Sequence, residues 1–196
     1  MNDTQLFAFE SDFVSTLRCV PMAVRFKLDR CGIKLSLRQW SQFTLDDRQA
    51  LLVRRCDDAG EVEAYRAALT ALVALRTGEA AKPLAETPCG QWDVADQVAP
   101  VVRRYARSLG VQPPSQKQWR ALTVLQRFVL IKLTRDNHDN VNFVPALCEF
   151  GLADQPCGAW DAGGRGGIRT HGGLPPTAVF KTAALNHSAT RPGGGV

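Results

Sequence analysis

Trp119–Asn140, WRALTVLQRFVLIKLTRDNHDN, is the stretch whose reading decides the fold. Within it Val124, Leu125, Phe128, Val129, Leu130, Ile131 and Leu133 stand almost side by side. At ~100° per residue they cover nearly the whole circumference of a helix. A helix that is apolar all round lies inside a domain, with neighbours on several sides. Thr123, with Gln126 three residues on, has the pattern of a capping box and marks the start. Arg135-Asp136-Asn137 suits a last turn and a left-handed exit. The run is too short to cross a bilayer and carries Arg127, Lys132 and Arg135, so it is a core helix.

The same pattern occurs upstream. Val24–Val53, VRFKLDRCGIKLSLRQWSQFTLDDRQALLV, aligns with Val102–Leu133, VRRYARSLGVQPPSQKQWRALTVLQRFVLIKL. Gly32 pairs with Gly110, Ile33 with Val111, Ser36 with Ser115, Trp40 with Trp119, Phe43 with Leu122, Thr44 with Thr123, Arg48 with Arg127 and Leu51 with Leu130. One residue is inserted between the glycine and the tryptophan of the second copy. Each copy reads as a helix stopped by Gly, an extended link, a brief Trp helix and a Thr-capped helix. Thr44 has its own capping partner in Asp47. A repeated unit that cannot bury its own faces implies two copies packed together. Trp40 and Trp119 are expected as packing anchors rather than exposed contacts.

Working outward, Ser11 or Asp12 is expected to cap a helix Phe13–Cys19, and Pro21 to open a second that ends at Gly32. The link 33–35, a Trp helix 36–42 and a Thr44-capped helix to about Arg55 follow. Val62, Tyr65, Leu69, Leu72 and Val73 form one stripe of a helix Glu61–Thr77 closed by Gly78. Residues 79–93 read as a long loop. Asp93 or Asp96 is expected to start a helix running to Leu109, and a short helix Phe143–Phe150 ends at Gly151. No alternating strand stands out. The reading is an all-α, single helical domain over residues 1–152.

From Ala153 glycine and proline become dense and periodicity vanishes, which predicts an unstructured tail over 153–196. Gly167-Ile168-Arg169-Thr170-His171 can be encoded ggg att cga acc cac, whose reverse complement resembles the T-arm of a tRNA gene. Ala184-Leu185-Asn186-His187-Ser188-Ala189 can be gct cta aac cac tca gct, whose reverse complement resembles a D-arm. The two lie in the order of a gene read antisense. The tail is therefore expected to be read-through of an opposing tRNA gene and is set aside from fold reasoning.

The chain has 196 residues, 45% hydrophobic, enough for one domain with a real core. No basic and apolar leader opens it and no run is long enough to span a membrane, so the expected compartment is the cytoplasm. Net charge is +5, but removing Arg165, Arg169, Lys181, Arg191, Asp154 and Asp161 of the tail leaves 20 basic and 17 acidic residues. That near-neutral body, without a block of like charge, does not favour nucleic acid. The six cysteines (19, 31, 56, 89, 148 and 157) form no CxxC pair, so buried reduced thiols are expected and no metal site. Cys31 or Cys148 with His138 would be the only nucleophile and base to consider, and no motif joins them.

Two stretches, FESDFVSTLRCVPMAVRFKLDRCGIKLSLRQWSQFT and QWRALTVLQRFVLIKLTRDNHDNVNFVPALCEFGL, resemble the nitrate reductase-associated protein family. The likeness spans about Phe7 to Leu152 and none of the tail. It implies an accessory or maturation protein for assimilatory, molybdenum-dependent nitrate reductase, with the reductase apoprotein as partner and no enzymatic activity of its own. It carries over no catalytic residue. No resident cofactor is expected, and a transient contact with the molybdenum cofactor stays open. The polar residues after the core helix, Lys132, Arg135, His138, Asn140 and Asn142, are candidates for a partner-binding patch, with Arg18 in a second matching cluster. The competing reading is that they only cap and solvate a helix end. A helix-turn-helix regulator is the alternative function, since a Trp helix, short turn and Thr-capped helix share that geometry. Against it, one second helix opens Leu45-Asp46-Asp47, which repels phosphate, and the other is too apolar to expose.

Overall fold

The computed structural model describes residues 6–11, 16–84, 90–135 and 141–153. All of them fall in one compact unit, Met1–Trp160. The expected tail, with His171 and His187, and the candidate base His138 lie outside the described residues, apart from Ala153, which packs against the core. The described body is mostly helical: α1 (Met22–Cys31), α2 (Leu37–Gln42), α3 (Leu45–Val53), α4 (Ala59–Thr77), α5 (Pro100–Ser108), α6 (Gln116–Ala121), α7 (Val124–Lys132) and α8 (Phe143–Glu149).

The two copies are α1–α2–α3 and α5–α6–α7, and their local chemistry is duplicated. Gly32 and Gly110 both adopt left-handed conformation, with φ of 67° and 70°. Ser36 with Gln39 caps α2, and Ser115 with Gln118 caps α6, each as a complete capping box. Thr44 with Asp47 does the same for α3, and Thr123 with Gln126 for α7. Each box satisfies helix-end N–H groups that have no partner within the helix. Both indoles are fully buried, at 0% exposure. Each donates to a loop carbonyl far upstream: Trp40 Nε1 to Leu17 O at 2.8 Å, and Trp119 Nε1 to Val94 O at 3.0 Å.

The paired arginines complete the clamp. Arg48 donates to the carbonyls of Trp40, Leu17 and Ser41 at 3.0–3.2 Å. Arg127 donates to Trp92 O at 2.7 Å and Leu122 O at 2.8 Å. Each copy therefore holds the loop before its first helix by backbone carbonyls. This explains two departures from the sequence reading. Within the expected helix Phe13–Cys19, residues 13–15 lie outside the described residues, while 16–19 form a turn and bend. Leu17 has φ of 48° there, and its carbonyl takes tertiary donors instead of a helical N–H. Likewise the helix expected from Asp93 or Asp96 begins only at Pro100, with Ala99 as N-cap. The carbonyls of Trp92, Val94 and Asp96 already accept from Arg127, Trp119 and Gln116.

The core helix α7 and α1, the opening helix of the first copy, sit together at the centre. Phe26 of α1 and Phe128 of α7 meet edge to face at 5.1 Å, and Trp92 joins both. On its other side α1 packs against α3 and α4. The all-round burial of α1, including Lys27 and Asp29, follows from this double contact. Lys27 Nζ donates to Leu52 O at 2.6 Å and Arg54 O at 2.7 Å, satisfying carbonyls at the end of α3. Along α4, Tyr65, Leu69 and Val73 face the core, as the stripe predicted, although Asp58 starts this helix two residues earlier than expected. The link after Gly32 gains a partner that the sequence did not reveal. Ile33–Lys34 (β1) pairs antiparallel with Lys82–Pro83 (β2), Ile33 opposite Pro83 and Lys34 opposite Lys82.

The start and end of the described body are latched. Glu149 on α8 accepts from the N–H groups of Ala8 and Phe9 at 2.9 and 3.2 Å. Phe7 stacks on Phe9 and meets Phe150 at 5.4 Å. Glu10 in turn accepts from Met22 N at 2.8 Å, the first N–H of α1.

Candidate interaction site

The polar residues at and after the end of α7 divide by structure. Lys132 is not a free cation: its Nζ lies 2.6 Å from Asp29 Oδ2, with side chains 16% and 7% exposed. The two form a largely buried ion pair. The same ammonium stands 5.3 Å from the centroid of Phe128. Burial, foremost, lowers the Lys132 pKa; Asp29 opposes this, and Arg135 and Arg25 add to the lowering. Lys132 thus ties α7 to α1, and what it offers a partner is field rather than a reachable head group.

Arg135 is exposed, just beyond the helix, and its N–H donates to Lys132 O at 3.3 Å. His138 and Asn140 lie outside the described residues. Asn142 is the N-cap of α8; its carbonyl accepts from Ala146 N at 3.0 Å and its side chain makes no capping bond. Arg18 is exposed and follows Leu17, the residue gripped by Trp40 and Arg48. No hydrogen bond or ion pair joins Arg18 to the other candidates among the described residues. Of the candidates among the described residues, only Lys132 and Arg135 feel one another, and they do so by like-charge repulsion, the arginine disfavouring the charged lysine.

Burial shapes three groups away from this patch, of which Glu10 went unread in the sequence. Glu10 sits near Arg25 and Glu149, with Oε2 unpartnered among the described residues, and burial pushes its carboxyl above the usual range. The Cys31 thiol is raised by burial and donates to Leu28 O, the setting of an inert thiol rather than a nucleophile. Tyr65 is buried with its hydroxyl on Leu51 O and is driven well above its ordinary pKa by desolvation. Among the described residues no group of three or more His, Cys, Asp or Glu side chains is placed to hold a metal ion. The described helices include none long and apolar enough to cross a membrane. The signal that could have found the clamps was already visible, in arginines recurring at matched positions beside buried tryptophans.

These features define an all-α protein built from two tandem copies of one helical motif, in which most buried polar groups hold loops and helix ends in place. The chain belongs to the family of conserved nitrate reductase-associated proteins, which it matches over residues 6–150. No curated protein and no solved structure matches it.

Proposed function

We propose that this protein is an accessory factor for maturation of assimilatory, molybdenum-dependent nitrate reductase, acting in the cytoplasm by binding the reductase apoprotein. The observation that carries the reading is family membership across residues 6–150, the whole helical body. The site chemistry is compatible with it. Buried ionisable groups such as Lys27, Lys132 and Arg127 are committed to carbonyls or to a counter-charge inside the protein, which suits a rigid binding body. In this reading the chain performs no catalysis and has no resident cofactor; the molybdenum cofactor is cargo for the reductase, met at most in passing.

The experiment is retrieval with the tagged full-length chain from cells grown on nitrate, with identification of the retained polypeptides. Recovery of the reductase, enriched in cofactor-free form, is expected. Deletion of the protein is expected to lower reductase activity without lowering its transcript. Absence of the reductase from the retained fraction would refute the proposal. The nucleic-acid alternative is disfavoured by α7, the second helix of its motif, whose Leu125, Phe128, Val129, Leu130 and Ile131 are buried and cannot enter a groove.

A further inference from the structure

The duplication shows one face that is packed in the first copy and open in the second. Alignment on Gly32 and Gly110 places Arg104 where Phe26 stands and Arg107 where Asp29 stands. In α1 that face is the contact with α7, through Phe26 on Phe128 and Asp29 on Lys132. In α5 both positions are exposed. Arg103 adjoins them one turn before Arg107, so the three guanidinium groups share one side of the helix.

This side is not explained by folding. α5 contains no acidic residue. No side chain of the three arginines makes a hydrogen bond or ion pair among the described residues. Arg30, Arg48, Arg55, Arg76, Arg120 and Arg127, by contrast, are each bound to a carbonyl or carboxylate. Like charges three and four residues apart weaken a helix, and Arg103 and Arg104 lie too early in α5 to gain from its dipole, which favours only Arg107 in the last turn. A terminal repeat needs a polar outer face, but charges of mixed sign would supply one. Tyr105 lies beside the cluster, half-buried, its ring 4.9 Å from Phe143 and its hydroxyl without a partner among the described residues. Arginine and tyrosine are the side chains that most often anchor protein interfaces.

We propose that the Arg103–Arg104–Arg107 face of α5 docks a carboxylate-rich surface of a protein partner, in the place where α1 takes up α7. The proposal rests on the reading that the chain works by binding nitrate reductase, and it names the surface that does so. Charge complementarity selects the occupant: three guanidinium groups match a small group of carboxylates, whereas nucleic-acid proteins commonly neutralise about 6–10 phosphates.

The test uses the full-length protein and purified cofactor-free nitrate reductase from the same cells, with affinity measured at low and high salt. R104E/R107E is expected to weaken binding about 30-fold. The milder R104A/R107A is expected to weaken it less and to reduce its salt dependence, and neither variant should melt below the wild type. Wild-type binding with unchanged affinity in both variants would overturn this face while leaving the proposed function standing. Failure of the wild type to bind would remove the functional reading itself. An equal loss in Lys82→Glu, on β2, would mark a general charge effect and overturn the assignment, as would a wild-type protein that binds nucleic acid through these arginines in place of the reductase.

Discussion

Replacing Arg127 by methionine tests the clamp that organises the second copy. Arg127 is 6% exposed, and its guanidinium donates to Trp92 O and Leu122 O at 2.7 and 2.8 Å. Hydrogen bonds from a charged group contribute about 1.5–3 kcal/mol each, and an orphaned buried carbonyl costs about 1–3 kcal/mol. Methionine keeps much of the apolar stem and removes the cost of burying the charge, which lowers the Arg127 pKa and is only partly offset by nearby Asp93. The net loss should be about 3 kcal/mol, or roughly 6–12 °C in Tm for a domain of this size. Lysine at the same position can reach one carbonyl but not span both, so R127K should lose about half as much. Urea and thermal unfolding of the three proteins measure this, with an unchanged urea m-value indicating that the fold is retained. R127M within about 0.5 kcal/mol of wild type, or R127K as unstable as R127M, would refute the claim that two carbonyls held by one planar fork fix the 92–94 loop.

Three further outcomes are expected. Lys132→Met should cost about 3 kcal/mol because it leaves Asp29 buried and unpaired, whereas K132M/D29L should recover most of that; a double-mutant cycle in urea decides it, and equal losses would show that the pair contributes nothing. Glu10 has a folded pKa above its ordinary 4.5, so its contribution is fully present below that pH and is lost as pH rises through the folded value. Glu10→Gln, which keeps an acceptor for Met22 N, should therefore raise Tm at pH 7 and give no gain at pH 4; a lower Tm at neutral pH contradicts the burial argument. Ser115→Ala and Thr123→Ala should each cost about 1 kcal/mol, as should Ser36→Ala in the first copy, since all three remove the acceptor of a complete capping box; a change below about 0.3 kcal/mol at any one would show that water replaces the cap there.

By itself the sequence determined the features that act within a few residues. The Ser and Thr caps, the left-handed glycines at 32, 78, 110 and 151, and the all-apolar run of α7 depend on neighbours one to four positions away, so their chemistry is written locally. The duplication was legible for the same reason: matched caps, tryptophans and arginines recur in order. The resemblance carried by those stretches agrees with the family match over residues 6–150.

Tertiary structure alone decided where those side chains lead. Trp40 reaches back 23 residues, Trp119 reaches 25 and Arg127 reaches 35, to carbonyls that carry no side-chain signature. Those distant donors leave residues 16–19 outside any helix and delay the start of α5 to Pro100, because a backbone carbonyl gripped by a buried indole or guanidinium no longer needs a helical partner. The β1–β2 pairing and the burial of Lys132 against Asp29 arise in the same way, from segments far apart in the chain meeting across α1. The candidate patch was read from residues that are polar and close in sequence. The fold commits one of them, Lys132, to the core and leaves Arg104 and Arg107 exposed on α5 beside a half-buried Arg103, a group that the sequence reading did not single out.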